Sequence, residues 1–128
     1  MTGAFAVHKR HHDDGIVRVS VSGRIDEDVS AALALLLVNA AVQDGVEELV
    51  IDLADVPLLA AAGIRSLLRA REETVRHGGA FRVVNVRPLV ATTLRAAGVA
   101  RLLRVAPDPE PAGPAAPTPD ILPRGRRR

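Results

Sequence analysis

The chain of 128 residues contains no cysteine, no tryptophan and no tyrosine, and its only aromatic residues are Phe5 and Phe81. Without cysteine it cannot form disulfides or bind a metal through thiolates. With only two aromatic rings it lacks the stacking platforms on which proteins bind RNA and single-stranded DNA. We therefore expect neither a thiolate metal site nor a nucleic-acid-binding function.

Long hydrophobic runs are also missing. The longest run, Val29 to Val42, has 14 residues and includes Ser30 and Asn39, whereas a membrane-spanning helix needs about 20 apolar residues. This run therefore predicts a buried amphipathic helix. The first residues of the chain do not place a basic end before an apolar run and a cleavage site, as a signal peptide does. We expect a soluble, cytoplasmic protein without a membrane partner.

Proline is scarce in most of the chain and concentrated near its end. Seven of the nine prolines follow Ala106, and the last five residues are Arg-Gly-Arg-Arg-Arg. This end of the chain is too poor in apolar residues to form a core. We interpret residues 1–105 as one folded domain and residues 106–128 as a proline-rich, arginine-ended, disordered tail.

The first part of the domain alternates apolar and polar residues in the manner of strands. The alternation covers residues 4–9 and 15–22, and it is clearest around Val17, Val19 and Val21. The polar segment HHDDG between the two predicted strands is typical of a hairpin turn, with Gly15 available for a positive φ. The two strands should therefore be antiparallel neighbours.

The segment Glu48 to Arg76 is the centre of the predicted fold. Its first six residues are almost wholly apolar, which is typical of a strand covered on both faces. Pro57 in the following link cannot donate to a sheet and marks the end of the strand. From Ala61 the apolar residues recur at three- and four-residue steps, which predicts a helix. Its inner face should carry Ile64, Leu67, Leu68 and Val75.

Two further helices flank this segment. The acids at positions 26–28 favour a helix start, and the apolar positions that follow it include Leu33, Leu36 and Leu37. A strand is expected over residues 81–86, then a helix from Pro88, and then a last strand over residues 101–105. The inward positions of this third helix should be Leu89, Thr93, Leu94 and Ala97.

Strands and helices thus alternate along most of the domain. Parallel strands joined by a helix almost always have a right-handed crossover. The sequence therefore predicts an α/β fold with a mixed, mostly parallel sheet of about five strands. An antiparallel hairpin lies at its start, and three helices make the crossovers.

Three ordered segments resemble the STAS domain, in particular the bacterial anti-sigma-factor antagonists. VSVSGRIDEDVSAAL is similar to the family's strand, loop and first helix, and LVIDLADVPLLAAAGIRSLL is similar to the strand and turn that lead into its Asp-Ser-Ser-Gly motif. HGGAFRVVNVRPLVATTLRAAGVARLL is similar to the closing strand, helix and strand. The resemblance covers about residues 4–105. It implies a non-catalytic domain that binds an anti-sigma factor of the serine-kinase type and so permits transcription.

The motif that the family's kinase phosphorylates is degenerate in this chain. The resemblance implies phosphorylation of the serine before the motif's glycine, but the matched residues are Ala60-Ala61-Ala62-Gly63. A phosphoserine would place about two negative charges on the docking surface, whereas alanine has no oxygen to accept a phosphoryl group. The usual switch therefore cannot operate at Ala62. A second departure is Arg24, where the family commonly has an acid.

The resemblance also implies where a partner binds, namely the corner formed by the loops that precede the first two helices. Its expected members are Arg24, Asp26, Leu59, Ala60, Ala61, Ala62, Gly63 and Arg65. Two other functions stay open: a regulatory scaffold subunit that binds other STAS domains or itself, and a small-ligand or anion sensor that uses the free N–H groups of the helix start near Gly63. A loop retained only for folding is the remaining interpretation.

Several other polar side chains are candidate phosphate acceptors or metal ligands. Ser66, one turn beyond Ala62, is interpreted as a solvated helix position, with a displaced phosphate acceptor as the alternative. Thr92 and Thr93 are interpreted as structural. His8, His11 and His12, beside Asp13 and Asp14, include usual metal ligands, but they surround a turn without ligand spacing, which favours a solvated turn.

We expect no catalysis, cofactor or metal. Asp52 and Asp55 near the end of the central strand resemble a phosphoreceiver site, but no acidic pair follows the early strands, and the only lysine is Lys9. No serine or histidine occupies a strand-to-helix elbow, and no glycine-rich loop or phosphate-binding lysine is present. The chain should therefore act by binding.

Overall fold

The computed structural model describes residues 5–12 and 14–106. In chain order the elements are β1 (Ala6–His11), β2 (Ile16–Ser22), α1 (Glu27–Ala41), β3 (Glu48–Asp55), α2 (Ala61–Arg76), β4 (Ala80–Val84) and α3 (Pro88–Ala96). The predicted starts of α2 at Ala61 and of α3 at Pro88 are confirmed. All of the predicted tail except Ala106 lies outside the described residues, so its disorder stays a prediction.

The four strands form one sheet in the order β1-β2-β3-β4. β1 pairs antiparallel with β2, with Lys9 opposite Val19, and the pairs β2–β3 and β3–β4 are parallel. The predicted α/β class, the hairpin at the start and the mostly parallel sheet are therefore confirmed. Helical crossovers join the parallel strands, as expected for this connection.

The prediction of about five strands is wrong, because the last predicted strand is a series of turns. Residues 101–104 are turns, and Val105 makes only an isolated bridge to Val83. Arg104 adopts a φ of 54°, which interrupts an extended backbone. Local bonds also occupy the chain, since the Leu103 N–H donates to Val99 O and the Val105 N–H donates to Ala100 O. The buried Leu103 side chain still completes the core.

The core lies between one face of the sheet and the helices. Alternate residues of the two central strands point into it, namely Val17, Val19 and Val21 of β2 and Leu49, Ile51 and Leu53 of β3. They pack with apolar residues of α1, α2 and α3. The opposite face carries ion pairs that cross between strands, Arg18 with Asp52 and Arg82 with Glu48. The sheet thus separates an apolar side from a charged side.

Three large apolar residues that were predicted to face inward are exposed, and so is Ala97 at the C-cap of α3. Val75, Leu36 and Leu89 are 49%, 44% and 58% exposed. Each lies next to the buried stripe of its helix and not on it. In α2 the buried position belongs to Thr74, whose hydroxyl donates to Ala70 O at 2.8 Å and so loses no hydrogen bond by burial.

Candidate functional site

Two loops meet at the corner where α1 and α2 begin. The Ile25 N–H donates to Leu58 O at 2.9 Å, and the Ala60 N–H donates to Ile25 O at 2.8 Å. Ile25 and Leu59 consequently form a short parallel bridge beyond the ends of β2 and β3. These bonds place Arg24 and Asp26 beside the start of α2, so the two halves of the predicted partner face are adjacent.

The predicted members of this corner divide into exposed and buried residues. Arg24, Asp26, Ala61 and Arg65 are exposed, and Ala60 is partly buried. Leu59, Ala62 and Gly63 are buried; Leu59 is 5% exposed and Ala62 is 8% exposed. Leu59 belongs to the core, and Gly63 packs against Ile25 and Leu59, so these two residues offer no side chain to a partner. We use "α2 corner" below for Arg24, Asp26, Ala60, Ala61 and Arg65.

Asp26 has a structural role in addition to its exposed position. It is the N-cap of α1, and its Oδ1 accepts from the N–H groups of Asp28 at 2.9 Å and Val29 at 3.3 Å. A carboxylate at this position satisfies free helix donors and interacts favourably with the helix dipole. The acidic run predicted to start α1 therefore does so through Asp26.

The start of α2 has no comparable cap. Ala60 is its N-cap and has an extended backbone, with φ −79° and ψ 167°, but makes no side-chain cap hydrogen bond. Its carbonyl accepts from the N–H groups of Gly63 and Ile64. Within the described residues the N–H groups of Ala61 and Ala62 have no acceptor, as is usual for a first helical turn. The start of α2 is thus small, apolar and uncapped.

Charge at the corner is mixed, because the exposed Asp26 and Glu27 stand with Arg24 and Arg65. Arg65 Nη2 lies 3.9 Å from Glu27 Oε2, and the two side chains are 68% and 81% exposed. An ion pair this long and this exposed contributes little to stability. Arg65 is therefore only weakly held by Glu27.

Ser66 does not occupy the solvated position expected from the sequence. It is 4% exposed, and its hydroxyl lies 2.8 Å from Ser30 O on α1 and 3.1 Å from Ala62 O in the preceding turn. Helical spacing cannot show that α1 passes directly over this position. The same burial withdraws the hydroxyl from any kinase, so Ser66 is not a displaced phosphate acceptor. It is a polar link between the two helices.

Of the two threonines of α3, Thr92 is exposed, and Thr93, which was predicted to face inward, is only partly buried. The Thr93 hydroxyl donates to Leu89 O at 3.0 Å, and the Thr92 hydroxyl accepts from Arg95 Nη2 at 3.3 Å. Neither reaches the α2 corner. Both contacts are local, in agreement with the structural interpretation.

Asp52 belongs to a network that the sequence did not reveal. Its Oδ2 accepts from Arg18 Nη2 at 2.8 Å and from Asn85 Nδ2 at 3.2 Å, and its Oδ1 accepts from the Ala54 N–H at 2.9 Å. Asp52 therefore has hydrogen-bonding partners on both oxygens. The opposite charges of Arg18 and Asp52 could have indicated this ion pair. The pairing can be predicted only when the register of the two strands is known.

The histidine-rich hairpin shows no metal site. Among residues 5–12 and 14–106, no three histidine, aspartate or glutamate side chains are arranged to hold a metal ion. His8, His11 and His12 are exposed, and Asp13 lies outside the described residues.

Comparison with known proteins identifies relatives of this arrangement. A family model described as the STAS domain matches residues 9–112. The crystal structure of an anti-sigma factor antagonist from Mycobacterium paratuberculosis is 30% identical, with a TM-score of 0.70, and the match covers 82% of this chain and 87% of that one. None of the curated protein sequences that were compared is a match.

Two more distant structures share the fold. One is the anti-sigma factor antagonist SpoIIAA of Bacillus in its unphosphorylated form, with 16% identity, a TM-score of 0.68 and coverage of 80% of this chain and 90% of that one. The other is the murine anion transporter Slc26a9, with 17% identity and a TM-score of 0.66. That match covers 77% of this chain but only 17% of the transporter. In the part of the chain that the structure describes, no helix is long and apolar enough to cross a membrane.

Proposed function

Because the chain belongs to the STAS domain family, we propose that it acts by binding, as a cytoplasmic anti-sigma-factor antagonist without the usual serine switch. Its partner in this proposal is an anti-sigma factor of the serine-kinase type. The observation that carries the proposal is the uncapped alanine turn at the start of α2, where Ala61 is exposed and hydrogen bonds through Ile25 hold the turn beside Arg24. This turn matches the position of the family's phosphorylation motif.

The side chain of Ala62 supports the absence of a switch. The residue that matches the modified serine has no hydroxyl to accept a phosphoryl group. The neighbouring hydroxyl of Ser66 is engaged with Ser30 O and Ala62 O. A kinase that docks here therefore finds no acceptor in this turn, and the complex is not ended by phosphorylation of it.

The contact face in this proposal is the α2 corner. Ala61 provides a small apolar surface, and Arg24 and Arg65 provide positive charge on either side of it. Complementary charge raises association rates and selects partners. An acidic segment of the anti-sigma factor, approaching the first turn of α2, fits this combination.

Affinity capture with the full chain in cells of its source tests the proposal. We expect recovery of an anti-sigma factor with a kinase domain. Ala61→Glu should reduce the recovery strongly, since it places a charge in the apolar centre of the corner. Ala96→Glu, an equally exposed change at the last residue of α3, is the matched control and should not. Recovery of sibling STAS domains only would replace this proposal by the scaffold function.

Restoring the motif tests the kinase part separately. The double variant Ala60→Asp with Ala62→Ser provides a cap and a hydroxyl at the matched positions. Incubated with ATP and the captured kinase, it should gain one phosphate, whereas the parent chain should gain none. Failure of the double variant to accept phosphate, while it still binds, would show that the partner does not dock as a kinase. Thermal stabilisation by phosphate alone would favour the anion sensor.

A further inference from the structure

A cleft lies between the edge strand β1 and the second half of α1, away from the α2 corner. Its volume is about 470 Å³, which is within the range of small-molecule sites. It is lined by Phe5, Ala6, Val7, Lys9, Val19, Leu36, Asn39, Ala40 and Gln43. The floor is therefore apolar, and three polar side chains stand around it.

Two of these polar residues, Lys9 and Asn39, are unusual in their sequence context. Lys9 is the only lysine of the chain, which otherwise uses arginine for its positive charge. Asn39 is the only polar residue between Ala31 and Val42, in the otherwise apolar body of α1. Gln43 lies just beyond the C-cap of α1, after the helix has ended at Ala41. The cleft is thus lined by an ammonium group on β1 and by two amides at the end of α1.

Lys9 occupies a position where the strand pattern calls for an apolar residue. It pairs with the buried Val19, and it follows Phe5 and Val7 at two-residue steps on the side that packs against the core. The Lys9 side chain is nevertheless exposed, and a lysine on an edge strand discourages pairing with another sheet. That role explains the charge but not the exposed amides of Asn39 and Gln43 across the cleft.

All three polar groups are unused within residues 5–12 and 14–106. Lys9 forms no ion pair there, and the side-chain amides of Asn39 and Gln43 form no hydrogen bond there. An ammonium group and amide N–H groups are donors, and a carboxylate accepts from several donors at once. The exposed Leu36, at 44%, extends the apolar surface on the helix side.

We propose that this cleft binds a soluble straight-chain alkyl carboxylate. The carboxylate accepts hydrogen bonds from the Lys9 ammonium group and from the Asn39 and Gln43 amides. The alkyl chain lies on the floor formed by Phe5, Val7 and Leu36, where its burial removes apolar surface from water. Because no residue of the α2 corner lines the cleft, this inference does not depend on the proposed partner.

The single lysine makes a direct experiment available. Reductive methylation of the full chain with isotopically labelled formaldehyde gives an NMR signal from Lys9 and a separate one from the N-terminal amine, and Lys9→Met identifies which is which. Decanoate, added below its micelle concentration, should shift the Lys9 signal saturably and leave the N-terminal signal in place. Amide signals of β1 and of the second half of α1 should move with the same titration curve.

The controls separate this site from general detergent binding. Decyltrimethylammonium, with the opposite charge on a chain of the same length, should bind at least about tenfold more weakly, since the charge-assisted hydrogen bonds are lost. On the unmethylated chain, calorimetry should show about tenfold weaker decanoate binding for Lys9→Met, and Lys9→Arg should restore most of the affinity. Asn39→Leu should weaken carboxylate binding without weakening that of the cationic control.

The outcomes decide between a site and an incidental groove. The proposal is supported if decanoate binding saturates, is stronger than that of the cationic amphiphile, and shifts amide signals of both β1 and α1. Equal binding of both amphiphiles, shifts that never saturate, or binding that survives Lys9→Met unchanged would overturn it and leave Lys9 as a guard of the edge strand. Amide spectra of each variant establish that it is folded before its affinity is compared.

Discussion

Ile25 and Gly63 are packed so closely that a β-carbon built on Gly63 would lie 2.6 Å from Cγ2 of Ile25. The same added atom would lie 2.6 Å from Cδ1 of Leu59. Gly63 therefore allows the β2–α1 loop to rest directly against the first turn of α2. Gly63 is also the residue that the resemblance described above matches to the glycine of the family's motif.

Gly63→Ala should destabilise the protein even though alanine is the better helix former. Overpacking of this kind costs about 1–3 kcal/mol, and alanine recovers at most about 1 kcal/mol in helix propensity. We expect a lower urea midpoint with an unchanged slope. In a Leu59→Ala background the added methyl has more room, so Gly63→Ala should lose part of its effect. Equal effects in both backgrounds would show that the steric account is wrong.

Asp26 combines a capping role with membership of the α2 corner, and two substitutions separate these roles. Asp26→Ala removes the acceptor for the Asp28 and Val29 N–H groups and should cost about 1 kcal/mol of unfolding free energy. Asp26→Asn keeps a capping oxygen but removes the charge, so it should retain most of the stability. Urea unfolding measures the capping contribution to stability, and the affinity for the captured anti-sigma factor measures the contribution of the charge to binding. If Asn binds as well as Asp, the charge of this residue is not part of the contact.

Ser66→Ala tests the polar link between α1 and α2. The variant removes the part-buried hydrogen bond to Ser30 O, and a bond of this kind typically contributes about 0.5–1.5 kcal/mol. Ser30→Ala is the matched control, because its hydroxyl bonds locally to Glu27 O and its carbonyl is unchanged. The control should stay within about 0.5 kcal/mol of the parent. Comparable losses in the two variants would mean that the hydroxyl of Ser66 does not join the helices.

Much of the fold could be predicted because local signals and tertiary structure agree. Pro88 at the first turn of α3, the acids that begin α1 and the change of period at Ala61 all stand where the elements begin. The final strand was predicted wrongly for the opposite reason. Residues 101–105 have strand composition, but Arg104 has a positive φ and Leu103 packs into the core, and no local sequence pattern predicts either feature.

The location of the α2 corner could be predicted from the sequence, but which of its side chains are exposed could not. The sequence identifies which residues precede each helix, and the structure brings them together through Ile25. Which of them face outward depends on the rotation of α2 about its axis, and that rotation is fixed by the packing of Ile64 and Leu67. Ala61 is consequently exposed, while Ala62, the residue that matched the modified serine, is buried.

The uncapped start of α2 yields the last prediction, that Ala60→Asp stabilises the protein. Ala60 already has the extended backbone of an N-cap, φ −79° and ψ 167°, and its side chain makes no cap hydrogen bond. An aspartate oxygen there can accept from the first-turn N–H groups, so the unfolding free energy should rise by about 0.5–2 kcal/mol. Ala60→Asn should give most of this gain, whereas Ala61→Asp, which interacts with the helix dipole without capping, should give less. If the gain were the same for Asp at 60 and at 61, charge alone would account for it. A gain confined to position 60 would show that this chain lacks a stabilising cap where its partner is proposed to bind, and that the cap is compatible with its fold.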